Sequence, residues 1–119
     1  MKLLIIDDSG FSRRKLKEAI LKEQPALDVI EAVDGEEALL KIESDQPDAC
    51  VTDLLMPKMD GVAFLRTMKD RNLPIKVAVF SADIQEARKA ECYELGAVAF
   101  LEKPLTPAKI SQLLATLAP

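Results

Sequence analysis

The chain has 119 residues, of which 49% are hydrophobic and 30% charged, and its formal net charge is -4. That length suits a single domain with its own core, and the acidic balance argues against generic binding to nucleic acid or to an anionic membrane. The chain contains no histidine, which excludes imidazole acid–base catalysis and imidazole metal ligation.

No apolar run reaches the length of a membrane span, and the N-terminus carries no signal-peptide pattern, so a cytoplasmic protein is expected. The two cysteines, Cys50 and Cys92, lie in a strand-like and a helix-like run at interior positions. They read as buried free thiols of a reducing compartment rather than as metal or redox groups.

Apolar runs alternate with helical patterns from end to end. The first strand is expected over Lys2–Asp7, followed by a helix whose "RRKLK" stretch, Arg13 to Lys17, gives it a basic exposed face. A second strand follows at Asp28–Ala32. Asp34 then caps the helix "DGEEALLKI", with Glu37 three residues on to complete a capping box. The third strand, Ala49–Asp53, leads through a loop containing Met56, Pro57 and Met59 to Gly61, which permits a tight turn into the third helix. After the fourth strand, Lys76–Ser81, Asp83 and Glu86 repeat the capping-box spacing, and Gly96 stops that helix in a left-handed conformation. The fifth strand is expected over Ala97–Leu101. Thr106 and Pro107 open the last helix, whose buried face is marked by Ile110, Leu113, Leu114 and Leu117.

Several strands are apolar on both faces, as a parallel sheet covered by helices on each side requires. Five βα units in one domain, residues 1–119, predict an α/β, flavodoxin-like (βα)5 doubly wound sheet with strand order 2-1-3-4-5. Such sheets bind ligands at the carboxyl ends of their strands, near the point where strand order reverses.

That rule makes the strand ends informative. Asp7 and Asp8 end the first strand, and Asp53 ends the third. Neighbouring first and third strands bring these carboxylates into one crevice, where clustered negative charge needs neutralising. Oxygen-only donors select a hard cation, and Mg²⁺ accepts one or two carboxylates while keeping several waters. Each aspartate taken singly reads better as a solvated loop cap; the set does not. Ser81 adds a hydroxyl at the end of the fourth strand, and Lys103, in "AFLEKP", adds a cation after the fifth. Pro104 is placed to hold that lysine inward through a cis bond. An acid pair, a central aspartate, a hydroxyl and a lysine at separate strand ends make a site for a phosphoryl group with Mg²⁺.

Asp7-Asp8, "DLLMPKMDG" from Asp53 to Gly61, Ser81-Ala82 and Lys103-Pro104 together resemble a CheY-like response-regulator receiver domain over essentially the whole chain. The resemblance implies a two-component or phosphorelay phosphoprotein that takes a phosphoryl group on Asp53 from a phospho-histidine of a sensor kinase, or from a small acyl phosphate. It implies Mg²⁺ held by Asp8, Asp53 and the backbone carbonyl of Leu55, with Asp7 acting through water. Lys103 would pair with Asp53 before transfer and with the phosphoryl oxygens afterwards, and Ser81 would bond a phosphoryl oxygen. Phe100 occupies the family's switch-aromatic position, although as a core phenylalanine it is equally well accounted for.

The resemblance implies as partners a histidine kinase or histidine phosphotransfer protein, which the family docks on its first helix, and an unnamed downstream protein; the basic run Arg13 to Lys17 by itself reads more readily as a solvated face. The target or dimer surface is expected on the helix 4–strand 5–helix 5 face with Tyr93, Glu94, Glu102 and Lys109, in a monomer or a weak phosphorylation-dependent dimer. No conventional enzyme is implied beyond catalysis of its own phosphorylation and dephosphorylation. For the latter, Asp83 is expected to matter more than the apolar Leu55, because leucine cannot hydrogen-bond to water.

Other readings fit less well. A receiver-like interaction module acting without phosphorylation would be expected to have lost Asp8, Asp53, Ser81 or Lys103. A phosphatase with an aspartate nucleophile would space its acids differently from adjacent Asp7 and Asp8. A flavin carrier would set two carboxylates against its phosphate. Of a free-standing messenger and a receiver cut from a longer regulator, the first is expected, since the chain begins at Met1.

Overall fold

The computed structural model describes residues 1–83 and 85–119. Strands and helices alternate along the chain as β1 (Lys2–Ile6), α1 (Gly10–Glu23), β2 (Asp28–Ala32), α2 (Gly35–Asp45), β3 (Ala49–Thr52), α3 (Gly61–Asp70), β4 (Lys76–Ser81), α4 (Glu86–Glu94), β5 (Ala99–Glu102) and α5 (Pro107–Leu117). All pairings are parallel and the strand order is β2-β1-β3-β4-β5, as the alternating pattern predicts.

Side chains of successive strand residues point to opposite faces, and both faces are apolar. Leu3 and Ile5 of β1 join Val51, Ala78 and Phe80 beneath α1 and α5, where Leu16, Ile20, Ile110, Leu113, Leu114 and Leu117 close the layer. Leu4 and Ile6 face the other way with Cys50, Val77 and Val79, against Ile42 of α2, Phe64, Leu65 and Met68 of α3, and Cys92 of α4. Burial of each such side chain stabilises the fold by roughly 1.5–3 kcal/mol, and this double layer holds the strand ends in place. Both cysteines are free and buried.

The strands stop short of the acids. β1 ends at Ile6 and β3 at Thr52, so Asp7 and Asp53 lie just past the ladder; backbone bonds from Asp7 N to the Ala32 carbonyl (3.1 Å) and from Asp53 N to the Ile6 carbonyl (2.9 Å) still hold them. β5 begins at Ala99 rather than Ala97, because the chain is closing α4 there. Gly96, with φ +100°, donates to Tyr93, and Ala97 donates to Cys92, both at 3.0 Å, which is a Schellman stop.

Two capping expectations change in detail. Asp34 Oδ1 accepts from the Glu37 amide at 2.9 Å as expected, but Glu37 reaches back to the Val33 amide at 3.1 Å rather than to that of the cap residue. The second box does not form. α4 is capped by Gln85 without a side-chain bond, and Asp83 Oδ1 instead accepts from the Gln85 amide at 3.2 Å. The short i to i+2 loop bond competes successfully with the cap. Thr106 caps α5 as expected, accepting from the Lys109 amide at 3.2 Å.

Gly61 is required for a reason other than the turn. Its backbone is not among the positive-φ positions. A Cβ there would lie 2.3 Å from the Asp53 carbonyl oxygen and 2.8 Å from the Leu54 Cα. The N-terminus of α3 is pressed against the backbone that carries Asp53, and only glycine leaves room.

Candidate functional site

The loops after β1, β3 and β5 meet at the carboxyl edge of the sheet, where the strand order reverses between β1 and β3. Lys103 stands between two carboxylates, with its Nζ donating to Asp53 Oδ2 at 2.9 Å and to Asp7 Oδ2 at 3.0 Å. The other oxygens are held by the backbone: Asp7 Oδ1 accepts from the Ser9 amide at 2.9 Å and Asp53 Oδ1 from the Leu54 amide at 2.6 Å. Ser9 in turn caps α1 by accepting from the Ser12 amide at 3.1 Å. Lys103 is brought into place by its own amide, which bonds the Ser81 carbonyl at 2.9 Å, and the Lys103–Pro104 bond is cis.

Burial pushes the Asp7 carboxyl up, the Ser9 amide and Lys103 pull it down, and the neighbouring Asp53 adds to the upward push, for a net rise. Burial works to lower the Lys103 ammonium, but its hydrogen bonds to Asp53 and Asp7 outweigh that and hold it above its ordinary range. One ammonium thus serves two carboxylates that still repel each other.

Among the described residues no three acidic or thiol side chains are grouped to hold an ion. The convergence expected of Asp7, Asp8 and Asp53 is realised as a pair, Asp7 and Asp53, drawn together on Lys103. Asp8, next in the chain after Asp7, is exposed. The donor set nonetheless fits Mg²⁺. It is all oxygen, its acids exceed its one cation by two charges, and Mg²⁺ needs only one or two carboxylates with waters completing its octahedron.

The remaining expected residues surround this pair at different depths. Ser81 is buried and accepts from the Asp83 amide at 3.1 Å. Asp83 also faces Arg88 across 3.9 Å. Leu55 is 66% exposed. Phe100 is half-buried and packs on the α2–α3–α4 side of the sheet. On the expected output face Tyr93, Glu94 and Glu102 are exposed, whereas Lys109 is tied down, donating to the Glu102 carbonyl at 2.6 Å and the Pro104 carbonyl at 3.2 Å.

Several contributors escaped the sequence reading. A cavity of about 500 Å³ opens beside Asp53 and Lys103, walled by Phe11, Leu16, Phe80 and Leu105. Phe11 is 64% exposed and carries the Lys15 ammonium 5.5 Å from its ring centroid; its signal was an aromatic in the first turn of an otherwise polar helix start. Lys103 lies 5.9 Å from the Phe80 ring centroid. Arg13, expected on a basic exposed face, is instead withdrawn: it bonds Glu31 at 3.1 Å and the Asp7 carbonyl at 2.6 Å.

A doubly wound parallel sheet with a lysine-bridged pair of aspartates at its switch point defines an α/β domain built to receive an anion beside a carboxylate. Residues 3–115 match the family model of the response regulator receiver domain, and the chain belongs to that family. It is therefore a receiver domain of the two-component signalling type, whose function is phosphorylation on an aspartate.

The chain is 39% identical over 107 residues to a protein-glutamate methylesterase/protein-glutamine glutaminase of Treponema denticola, covering 87% of this chain and 28% of that one. It is 34% identical over 110 residues to the alkaline phosphatase synthesis transcriptional regulatory protein PhoP of Bacillus subtilis, covering 92% and 45%. The chain thus spans less than half the length of these relatives. Among solved structures, CheY in a CheX–CheY–BeF3–Mg complex from Borrelia burgdorferi superposes with a TM-score of 0.90 at 32% identity, covering 100% of this chain and 90% of that one. The response regulator domain of Thermotoga maritima CheB gives 0.84 at 32% identity, covering 98% and 92%. Among the described residues no helix is long and apolar enough to cross a membrane.

Proposed function

We propose that Asp53 is the phosphoacceptor. Its Oδ2 attacks the phosphorus of a phospho-histidine on a sensor kinase or phosphotransfer protein, the P–N bond breaks, and the imidazole leaves with the electron pair and takes up a proton. A carboxylate is a weak nucleophile, so the chain contributes alignment and charge neutralisation rather than a strong base. The Leu54 amide fixes one oxygen of Asp53 at 2.6 Å, and Asp53 lines the open cavity. Lys103 holds the second oxygen at 2.9 Å and transfers its hydrogen bond to the phosphoryl oxygens as they arrive.

Mg²⁺ would be held by Asp8, Asp53 and the Leu55 carbonyl, with Asp7 acting through water, and would supply neutralisation of phosphoryl charge. Ser81, whose oxygen accepts from the Asp83 amide, keeps its own proton free to donate to a phosphoryl oxygen. The added charge, about -1.5 to -2 at neutral pH, then draws Ser81 and its loop toward Asp53. The output passes to the face of α4, β5 and α5, beneath which Phe100 packs. The downstream partner binds there, and the chain acts as a cytoplasmic messenger.

The observation that carries this reading is the single ammonium shared by Asp7 and Asp53 beside an open cavity. The test is amide NMR of the chain with Mg²⁺ and beryllofluoride. Resonances of the loops after β3, β4 and β5 should shift together at stoichiometric beryllofluoride, and the Asp53→Asn variant should show no such response. Identical responses from both chains would contradict the assignment.

A further inference from the structure

Asp7 is clamped by its backbone as well as by its side chain. Its amide donates to the Ala32 carbonyl of β2 at 3.1 Å. Its carbonyl lies one position past the end of β1, beyond the strand ladder, and accepts instead from Arg13 Nη1 at 2.6 Å. The guanidinium stands in for the next rung of the sheet. Arg13 is itself fixed, because its Nε donates to Glu31 Oε1 at 3.1 Å and its side chain is only 18% exposed. Glu31 sits on β2 opposite Ile5 and also meets Lys17 at 3.5 Å. A continuous chain of contacts therefore runs from the edge strand through Glu31 and Arg13 to the peptide that joins Asp7 to Asp8.

That peptide sets where Asp8 leaves the backbone. Asp8 is exposed and, among the described residues, pairs with no cationic side chain, so the peptide held by Arg13 is the contact that restrains where its side chain leaves the backbone. We propose that Arg13, anchored by Glu31, is a positioning residue for the cation site: it fixes the Asp7–Asp8 peptide and so aims the Asp8 carboxylate. This rests on the reading of the site as a Mg²⁺ site given above. It differs from an electrostatic role in sign. Arg13 is a positive charge close to an acidic site, so as a charge alone it opposes cation binding, and its removal would tighten Mg²⁺. As a positioning group its removal loosens Mg²⁺, since partners that orient metal ligands typically contribute about 10–100-fold to affinity.

The experiment is titration calorimetry of Mg²⁺ into the native chain and into Arg13→Ala, Arg13→Lys and Arg14→Ala, with thermal melts of each. Arg14 is exposed on the same helix and controls for loss of charge. Arg13→Ala is expected to weaken Mg²⁺ by about tenfold or more. Arg13→Lys, which keeps the charge but cannot span Glu31 and the Asp7 carbonyl together, is expected to recover only part of that loss. Arg14→Ala is expected to leave affinity unchanged or slightly tighter. Affinity in folded Arg13→Ala equal to or tighter than native overturns the proposal. If that variant does not fold, native affinity in Arg13→Lys overturns it equally. If the native chain itself binds no Mg²⁺, the reading of the site falls and this proposal with it; a native chain that binds beside an unaffected variant refutes the positioning role alone.

Discussion

Lys103 Nζ and Asp53 Oδ2 lie 2.9 Å apart, and the same ammonium lies 3.0 Å from Asp7 Oδ2. On the function proposed above, Lys103 both activates the site and competes with a metal for it. Lys103→Ala should slow phosphorylation from acetyl phosphate by about 10²–10³-fold, the usual effect of removing one charge-stabilising donor. Mg²⁺ should bind more tightly to the variant, because two carboxylates lose their internal counter-ion. Phosphorylation kinetics and Mg²⁺ titration on the same preparation check both signs.

The glycine beneath the site gives a second expectation. A methyl group at Gly61 would meet backbone at 2.3 Å, with no flexible side chain to yield. Gly61→Ala should destabilise the fold by about 1–3 kcal/mol through overpacking. It should also slow phosphorylation, because the displaced atoms are the carbonyl of Asp53 and the Cα of Leu54. Urea denaturation and acetyl phosphate kinetics measure the two effects separately.

Burial in β3 pushes the Cys50 thiol from 9.0 up to about 12. The folded state thus holds this proton more tightly than the unfolded state does. The associated stability is fully present below the unfolded value of 9.0 and is lost as pH rises toward 12. Between pH 8 and 10 the native chain should lose about 1.4 kcal/mol more than Cys50→Ala does. Paired denaturation curves at the two pH values give the difference directly.

Asp83 connects to the buried Ser81 through its backbone amide at 3.1 Å, and through its side chain to Gln85 and Arg88. Leu55 is exposed and apolar and cannot orient a water. Decay of the aspartyl phosphate should change several-fold in Asp83→Ala and little in Leu55→Ala, as followed by loss of phosphoprotein over time. The opposite order would show that Leu55 governs water access.

The fold was legible because its signals are local and redundant. Strands such as Leu3–Ile6 are apolar on both faces, Thr106-Pro107 marks a helix start, and Gly96 marks a stop. The strand ends also mark polar groups in the sequence, since Asp7 and Ser81 each break an apolar run and Asp53 and Lys103 follow one residue after Thr52 and Glu102 break theirs. What stayed hidden depends on reach across the sheet. No spacing rule says that Glu31 and the Asp7 carbonyl would withdraw Arg13 from a basic face, or that Asp83, the acid of the second box, would bond two residues on instead of capping α4. The crowding at Gly61 was equally invisible, because it comes from the backbone of a segment eight residues earlier. The place of Asp8 in the sequence suggests a converging trio, whereas the ammonium of Lys103 draws together Asp7 and Asp53.

The central claim is that the Asp53 carboxylate accepts phosphoryl groups. Treating the chain with acetyl phosphate and Mg²⁺, trapping the acyl phosphate with borohydride, and sequencing the peptides by mass spectrometry locates the modified side chain. Reduction confined to position 53, and absent when Mg²⁺ is chelated, is the expected result. Label on another residue, or none in a folded chain shown to bind Mg²⁺, would contradict it.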